Sequence, residues 1–286
     1  MSSRSTTRTS RVPRSRATKD AGVHLFLAVG GVIMVFPFVW QLVMSLSTNS
    51  QVTSIPPTFW PGELQWANFG RVFESIPFLD QFWVSVSITV LRTAGQLLLC
   101  SLAGYAFARM RFPFRRVIFG LTLSILMVPP EVFMIPQYQI IQNLGLLNTT
   151  TGVVLPGIFS AFGAFFMTQF FRGIPVELEE AARLDGCNPW QIFIKVMLPL
   201  VKPGLSALAV LTVVWSWNDL LWPLVVTTDT TKMPLTVGLA SLQGQYTTDY
   251  AVLMAASTMA VAPILILFII MQRRVIDGIA SSGLKG

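Results

Sequence analysis

Six apolar stretches dominate this chain, each long enough to cross about 30 Å of hydrocarbon at roughly 1.5 Å per helical residue. They run from about Ala21 to Leu46, Gln81 to Phe107, Val117 to Tyr138, Val153 to Phe171, Leu205 to Val226 and Tyr250 to Met271. In lipid every backbone N–H and C=O needs a partner within the protein, so only helices and closed barrels span a bilayer. A barrel would show alternating segments of about ten residues, and these stretches are longer and do not alternate. The expected fold is therefore an all-α membrane protein with six transmembrane helices. Composition agrees: of 286 residues 53% are hydrophobic and only 12% charged, too oily for a water-soluble domain. Pro37 lies inside the first stretch and Pro129, Pro130 and Pro136 inside the third. Kinks are expected there, with the third leaving the membrane early as a short outer helix.

Charge sets the expected orientation. Arg4, Arg8, Arg11, Arg14, Arg16 and Lys19 precede the first stretch, and the second and fourth connections and the C-terminal tail are also basic. Seventeen of the twenty Lys and Arg residues fall on one side and two on the other, with Arg92 inside the second stretch. Both termini are thus expected in the cytoplasm of a multi-pass protein of the plasma or inner membrane. The net charge of +7 follows from topology and contact with anionic lipids, and implies no nucleic acid. Residues 1–20, rich in Ser and Arg, read as a disordered basic tail, and 21–286 as the membrane domain. The first apolar run is long and lacks a small-residue cleavage pattern, so it reads as an uncleaved anchor. Cys100 and Cys187 are the only cysteines and His24 the only histidine. That leaves no disulfide framework, CxxC metal site or imidazole-based catalysis, and no catalytic or metal-binding residue is assigned.

One segment departs from the oily pattern. Residues 179–199 read EEAARLDGCNPWQIFIKVMLP, between the fourth and fifth stretches on the basic side. Pro175 suits a first helical turn, Glu177, Glu179 and Glu180 load the end that the helix dipole favours for anions, and Ala181 and Ala182 are strong helix formers. Gly186, where a positive φ is expected, ends this helix; Asn188 and Gln191 make a capping box around Pro189 for the next, and Pro199 is expected to stop it. The product is a two-helix elbow, about residues 172–203, whose alanines leave a low-relief face. By local chemistry alone it is either an amphipathic cover on the bundle end or a docking surface.

The residue pattern resembles a known signature. Glu180-Ala181-Ala182, then Asp185 and Gly186, then nine residues before Val196, Leu198 and Pro199 are similar to the EAA motif of binding-protein-dependent ABC importer permeases. Val196 replaces the usual isoleucine. AGYAFARMRF (103–112), IPQYQIIQNLGLLNT (135–149), FFRGIPVELEEAARLDG (170–186), WSWNDLLWPLVV (215–226) and DGIASSGLKG (277–286) resemble the second permease of the maltose-type carbohydrate-uptake branch. The resemblance runs from about Leu25 to the C-terminus. It implies that the elbow is a coupling helix docking in a cleft of a cytoplasmic ATPase subunit, through Glu180, Ala181, Ala182, Asp185, Gly186, Leu198 and Pro199. It also implies a related but distinct second permease, two ABC ATPase subunits and an extracytoplasmic solute-binding protein. Independently, no G-x-x-x-x-G-K-[ST] loop occurs, so ATP and its Mg are expected on the partner ATPase, with no cofactor and no enzymatic chemistry in this chain.

For a solute pathway, Arg92 stands out, because a charge at that depth costs at least about 2.5 to 3.5 kcal/mol and must face protein or water. It reads as a structural pair with Glu131 or Asp219, or as a pathway residue. Trp215, Asn218, Asp219 and Trp222, separated by three, four and seven positions, are expected on one helical face in the outer half of the fifth stretch. Aromatic faces beside amide and carboxylate acceptors suit sugars; an interfacial aromatic belt is the other reading. Three rival functions stand beside this reading. A membrane enzyme lacks convergent acid/base or metal groups. An ion-driven secondary transporter would show a repeated half and buried ionisable relays. A permease of the same superfamily for glycerol-phosphate, a peptide or an amino acid fits the same residues.

Overall fold

The computed structural model describes residues 14–56, 59–244 and 248–283. Residues 1–13, the greater part of the basic tail, lie outside the described residues, as do the last three of the C-terminal motif. Thirteen helices carry the argument. They are α1 (Arg14–Ser45), α2 (Ala67–Ser75), α3 (Phe78–Arg109), α4 (Arg115–Ser124), α5 (Met134–Asn143), α6 (Thr150–Val154), α7 (Ala161–Arg172), α8 (Val176–Leu184), α9 (Pro189–Leu200), α10 (Lys202–Trp217), α11 (Leu221–Val226), α12 (Leu235–Ser241) and α13 (Tyr250–Gly283).

Three helices are single spans by length and hydropathy: Gly22–Ser45 within α1, α3 whole, and Tyr250–Ile270 within α13. Three bent helix pairs pass the same test only when each pair is taken together, which brings the number of candidate spans to as many as six among the described residues. Arg115–Met127 and Pro130–Asn143 meet at 103°, Thr150–Gly157 and Ala161–Arg172 at 47°, and Pro189–Leu200 and Lys202–Trp217 at 75°. The first break falls at Pro129-Pro130, as the sequence requires of residues that cannot continue the hydrogen-bond ladder. Pro37 and Pro263, by contrast, sit inside unbroken helices. Pro199 does not stop α9, which runs one residue further; the break comes at Val201, just before Lys202 and Pro203.

The centre of the bundle is α3, packed against α7, α10 and α12, while α13 packs on α10, α1 and α2. Close approach of α3 to α7 depends on Gly104, where a Cβ would stand 2.6 Å from Met167 Cβ and 2.9 Å from the Thr168 backbone nitrogen. Lipid supplies no hydrophobic drive between helices, so such small-residue contacts carry the packing. Outside the bundle, Asn148, at φ 57°, accepts the backbone N–H groups of Thr228 and Asp229 and ties two connections together. Asp229 in turn accepts from the Thr231 hydroxyl and amide, which hold its carboxyl below the usual range.

Gly104→Val is expected to force α3 and α7 apart and cost about 1–3 kcal/mol. Its melting transition in detergent should fall, while Gly30→Val, with nothing within 4 Å of its added Cβ, should leave the transition in place.

Candidate functional site

Two constellations stand out, one inside the bundle and one at its end. The first starts from the polar residues of α3. Gln81, Ser85, Thr89, Arg92, Gln96 and Cys100 recur every three or four positions and are all buried, so they form one face. One end of that face bonds to Thr230 and Leu235, and the rest meets α6–α7 across its 47° bend. Arg92 donates to Val153 O at 2.6 Å, Gln96 to Gly157 O at 2.8 Å and the Cys100 thiol to Ser160 O at 3.5 Å. The Thr212 hydroxyl of α10 donates to Gln96 Oε1 at 3.0 Å. Sequence reasoning singled out Arg92 alone. The recurrence of polar side chains every three or four residues along an apolar span was the signal for Gln96 and its neighbours.

Arg92 completes the arrangement with an ion pair to Asp219 at 2.6 Å. Of the two partners foreseen, Asp219 is the one engaged. Its backbone carbonyl also accepts from the Thr236 hydroxyl, so the residue joins three segments. A cavity of about 490 Å³ opens beside the pair, with Glu131, Gln137, Asn218 and Trp222 also on its wall. A smaller one of about 230 Å³ shares Arg92 and Asp219 and is bounded by Gln96, Thr212 and Trp215.

The four residues expected on one helical face are not on one helix. α10 ends at Trp217, Asn218 caps it and donates back to Val214 O, and a new helix begins at Leu221. Trp215 stays half-exposed, edge-on to Phe162. Trp222 is 8% exposed in a core with Ile88, Ile141 and Val153, its indole N–H donating to Gly152 O at 3.3 Å. Asn218, Asp219 and Trp222 share the larger cavity, and Trp215 belongs to the smaller.

The second constellation is the elbow. α8 ends in a turn where Gly186 N–H donates to Arg183 O and Cys187 N–H to Ala182 O, both at 3.0 Å, with Gly186 at φ +81°. This paired motif satisfies carbonyls that the helix end would orphan. Asn188 and Gln191 then cap α9 reciprocally at 2.9 Å. Positive φ and capping box both stand as the sequence indicated.

The two alanines part company. Ala182 packs into the bundle core with Tyr105, Phe171 and Phe193, whereas Ala181 is exposed. Leu198 also packs against that core, and Pro199 is exposed. The outward surface is thus Glu180, Ala181, Leu184, Asp185 and Gly186, with Leu184 90% exposed. The carboxylate that matters inside is Glu179, which the motif does not include. It is 3% exposed, accepts from Arg183 at 2.8 Å and from the Tyr105 hydroxyl at 3.2 Å, and lies 3.9 Å from Arg109 Nε. Arg109 also donates to Phe171 O at 2.8 Å and to Ile174 O. The elbow is therefore fastened to the end of α3 by charge as well as by packing. The Glu179/Arg183 spacing of four was the legible half of this cluster.

Broken helical spans around a polar cavity, with a capped elbow locked to one end, define a membrane transport component. Residues 97–280 match the model of the family described as "Binding-protein-dependent transport system inner membrane component", and the chain belongs to that family as a multi-pass inner-membrane protein. It is 41% identical over 261 residues to the arabinooligosaccharides transport system permease protein AraQ of Halalkalibacterium halodurans, covering 89% of this chain and 92% of that one. It is 34% identical over 280 residues to the sn-glycerol-3-phosphate transport system permease protein UgpE of Yersinia pestis, covering 94% and 98%. A chain of a bacterial ABC transporter involved in the import of the acidic polysaccharide alginate superposes with a TM-score of 0.78 at 25% identity, covering 93% and 99%.

Asp219→Ala is expected to destabilise the bundle by about 3–5 kcal/mol, because it strands the Arg92 charge. The loss should sit near the lower end, since Asp219 keeps 23% of its side chain accessible. The double change Arg92→Leu/Asp219→Leu should recover part of that loss but not all, because Val153 O then lacks a donor, worth about 1–3 kcal/mol. Thermal melts of the three proteins check the order.

Proposed function

We propose that this chain is the permease subunit of an ATP-driven importer that takes up a carbohydrate delivered by an extracytoplasmic binding protein. The observation that carries the reading is the elbow, which turns Glu179 and Ala182 inward and offers Leu184, Ala181, Glu180 and Asp185 to a partner. A 90%-exposed leucine at the tip of a rigidly capped turn is an apolar knob without a socket. The proposed socket is the cleft of a cytoplasmic ABC ATPase that binds ATP and Mg. Each chain has one elbow, so two ATPase subunits call for a second, related permease. The solute path is proposed along the face between the two permeases, alternately open to either side. Motion of the ATPase pulls on α8, and the Glu179–Arg109–Tyr105 cluster passes it to α3, whose polar face carries Arg92.

In this reading the cavity groups Asn218 and Asp219, and Trp215 beside them, touch the solute with amide, carboxylate and aromatic surfaces, and Trp222 forms a fixed wall. Sugar is favoured by the arabinooligosaccharide and alginate relatives. Glycerol-phosphate is the second reading, favoured by the Yersinia relative.

ATP-dependent uptake of a solute panel by the reconstituted complex tests the function, and Trp215→Ala should lower the rate without lowering the melting transition. Gly186→Val and Leu184→Ser should each weaken association with the ATPase and its stimulated hydrolysis. The first acts through the backbone, a left-handed residue costing about 1–2 kcal/mol for a non-glycine; the second removes the knob. Cys187 should react with an impermeant maleimide only from the cytoplasmic side. Labelling from the outside places the elbow out of reach of any ATPase and overturns the coupling role.

A further inference from the structure

The connection between α3 and α4 holds a cavity of about 440 Å³ whose whole wall is Arg111, Phe112, Phe114, Arg115, Arg116 and Val117. Three arginines line it and no carboxylate does. No Asp or Glu occurs between Asp80 and Glu131, so the connection itself supplies no counter-charge. Among the described residues none of the three arginines is in an ion pair, and the one hydrogen bond assigned to them runs from Arg115 to the neutral Met110 carbonyl. Arg115 and Arg116 also occupy the first turn of α4, which holds no acidic residue. That is the reverse of what the helix dipole favours. A second arrangement aggravates the imbalance, since Arg172 lies over the Phe119 ring of the same helix.

An apolar track leads away from this positive corner. Phe114, at φ 59°, stands 76% exposed beside the cavity. Val117, Leu121 and Ile125, spaced by four along one face, are 57%, 63% and 51% exposed. Arg111 and Arg115 also line the neighbouring cavity with Arg109, Arg183 and the carboxylates Glu179 and Glu180, neither of which pairs with Arg111 or Arg115, so the corner lies at the elbow's end of the bundle, where α3 emerges.

A concentrated positive pocket continuous with an exposed apolar helix face matches one molecule in both halves. We propose that this corner is a binding site for an anionic phospholipid, its phosphate held by Arg111, Arg115 and Arg116 and an acyl chain lying along Val117, Leu121 and Ile125. A free anion would use the guanidinium groups and leave the apolar track without a role. The general attraction of basic connections to anionic leaflets acts on charge alone; a site requires these three positions. The inference rests on the membrane location of the family and not on the coupling or solute readings.

The test uses the complete permease complex, delipidated in detergent and titrated with phosphatidylglycerol or phosphatidylcholine while bound lipid is counted by native mass spectrometry. Phosphatidylglycerol should bind in preference, and Arg111→Gln/Arg115→Gln/Arg116→Gln should weaken it by about fivefold for each arginine removed. The corresponding lysine triple should keep most of the preference, and Arg4→Gln/Arg8→Gln/Arg11→Gln in the tail should keep all of it. Melting transitions, read alongside, separate loss of the site from loss of the fold. Equal binding by the glutamine triple overturns the proposal. So does full displacement of the lipid by inorganic phosphate, which makes this a free-anion site, or loss of the ATPase subunit from the glutamine triple, which makes it a protein interface. Failure of solute uptake in the reconstituted complex, with lipid preference intact, would instead count against the importer reading alone.

Discussion

Broken helices inside a low-dielectric bundle survive only if the carbonyls they release find donors, and in this protein one face of α3 brings side-chain donors to the carbonyls beside such a break. Arg92, Gln96 and Cys100, at successive four-residue steps, reach Val153, Gly157 and Ser160 on the broken fourth span. The break is therefore held by side chains from a neighbouring helix as well as by the Ser160 cap of α7. The same face places Arg92 against Asp219, at the point where the fifth span also gives way. Two interruptions and the charge between them form one unit, with a cavity at its edge.

That unit explains why polar groups so expensive in lipid are retained. An unpaired arginine would be intolerable, whereas an arginine shared between a carboxylate and a carbonyl carries its charge within a connected network. Networks of this kind have few arrangements that satisfy every member. A shift of α3 relative to α7 would have to exchange several hydrogen bonds at once.

The elbow follows a complementary logic. Its backbone is fixed by the paired turn at Gly186 and the reciprocal Asn188–Gln191 cap, and its inner face is fixed by Glu179 among Tyr105, Arg109 and Arg183. The inner face of the elbow is thereby joined directly to the end of α3. The six-residue π-turn over Ile192–Met197 and the bend before Lys202 lie on its other side.

Much of this was legible from residue order. Long apolar runs fix the number of crossings because bilayer thickness sets a length; Pro129-Pro130 fixes one break because proline lacks an N–H; Gly186, Asn188 and Gln191 fix the elbow because turn and cap chemistry is local. What sequence could not decide was which of two neighbouring residues turns inward. Glu179 and Glu180, or Ala181 and Ala182, are equivalent in propensity, and only packing against Tyr105 and Phe171 separates them. The end of the helix before Trp222 did have a local signal, because Pro223 lacks an N–H and its ring crowds the carbonyl of Asp219 four residues back. What only the tertiary structure decided is what that end faces: Arg92 pairs with Asp219, Thr236 donates to its carbonyl, and the Trp222 indole donates to the α6 backbone. Local chemistry determined the elements, and long-range hydrogen bonds, which depend on residues more than a hundred positions apart in Arg92 and Asp219, decided what they face.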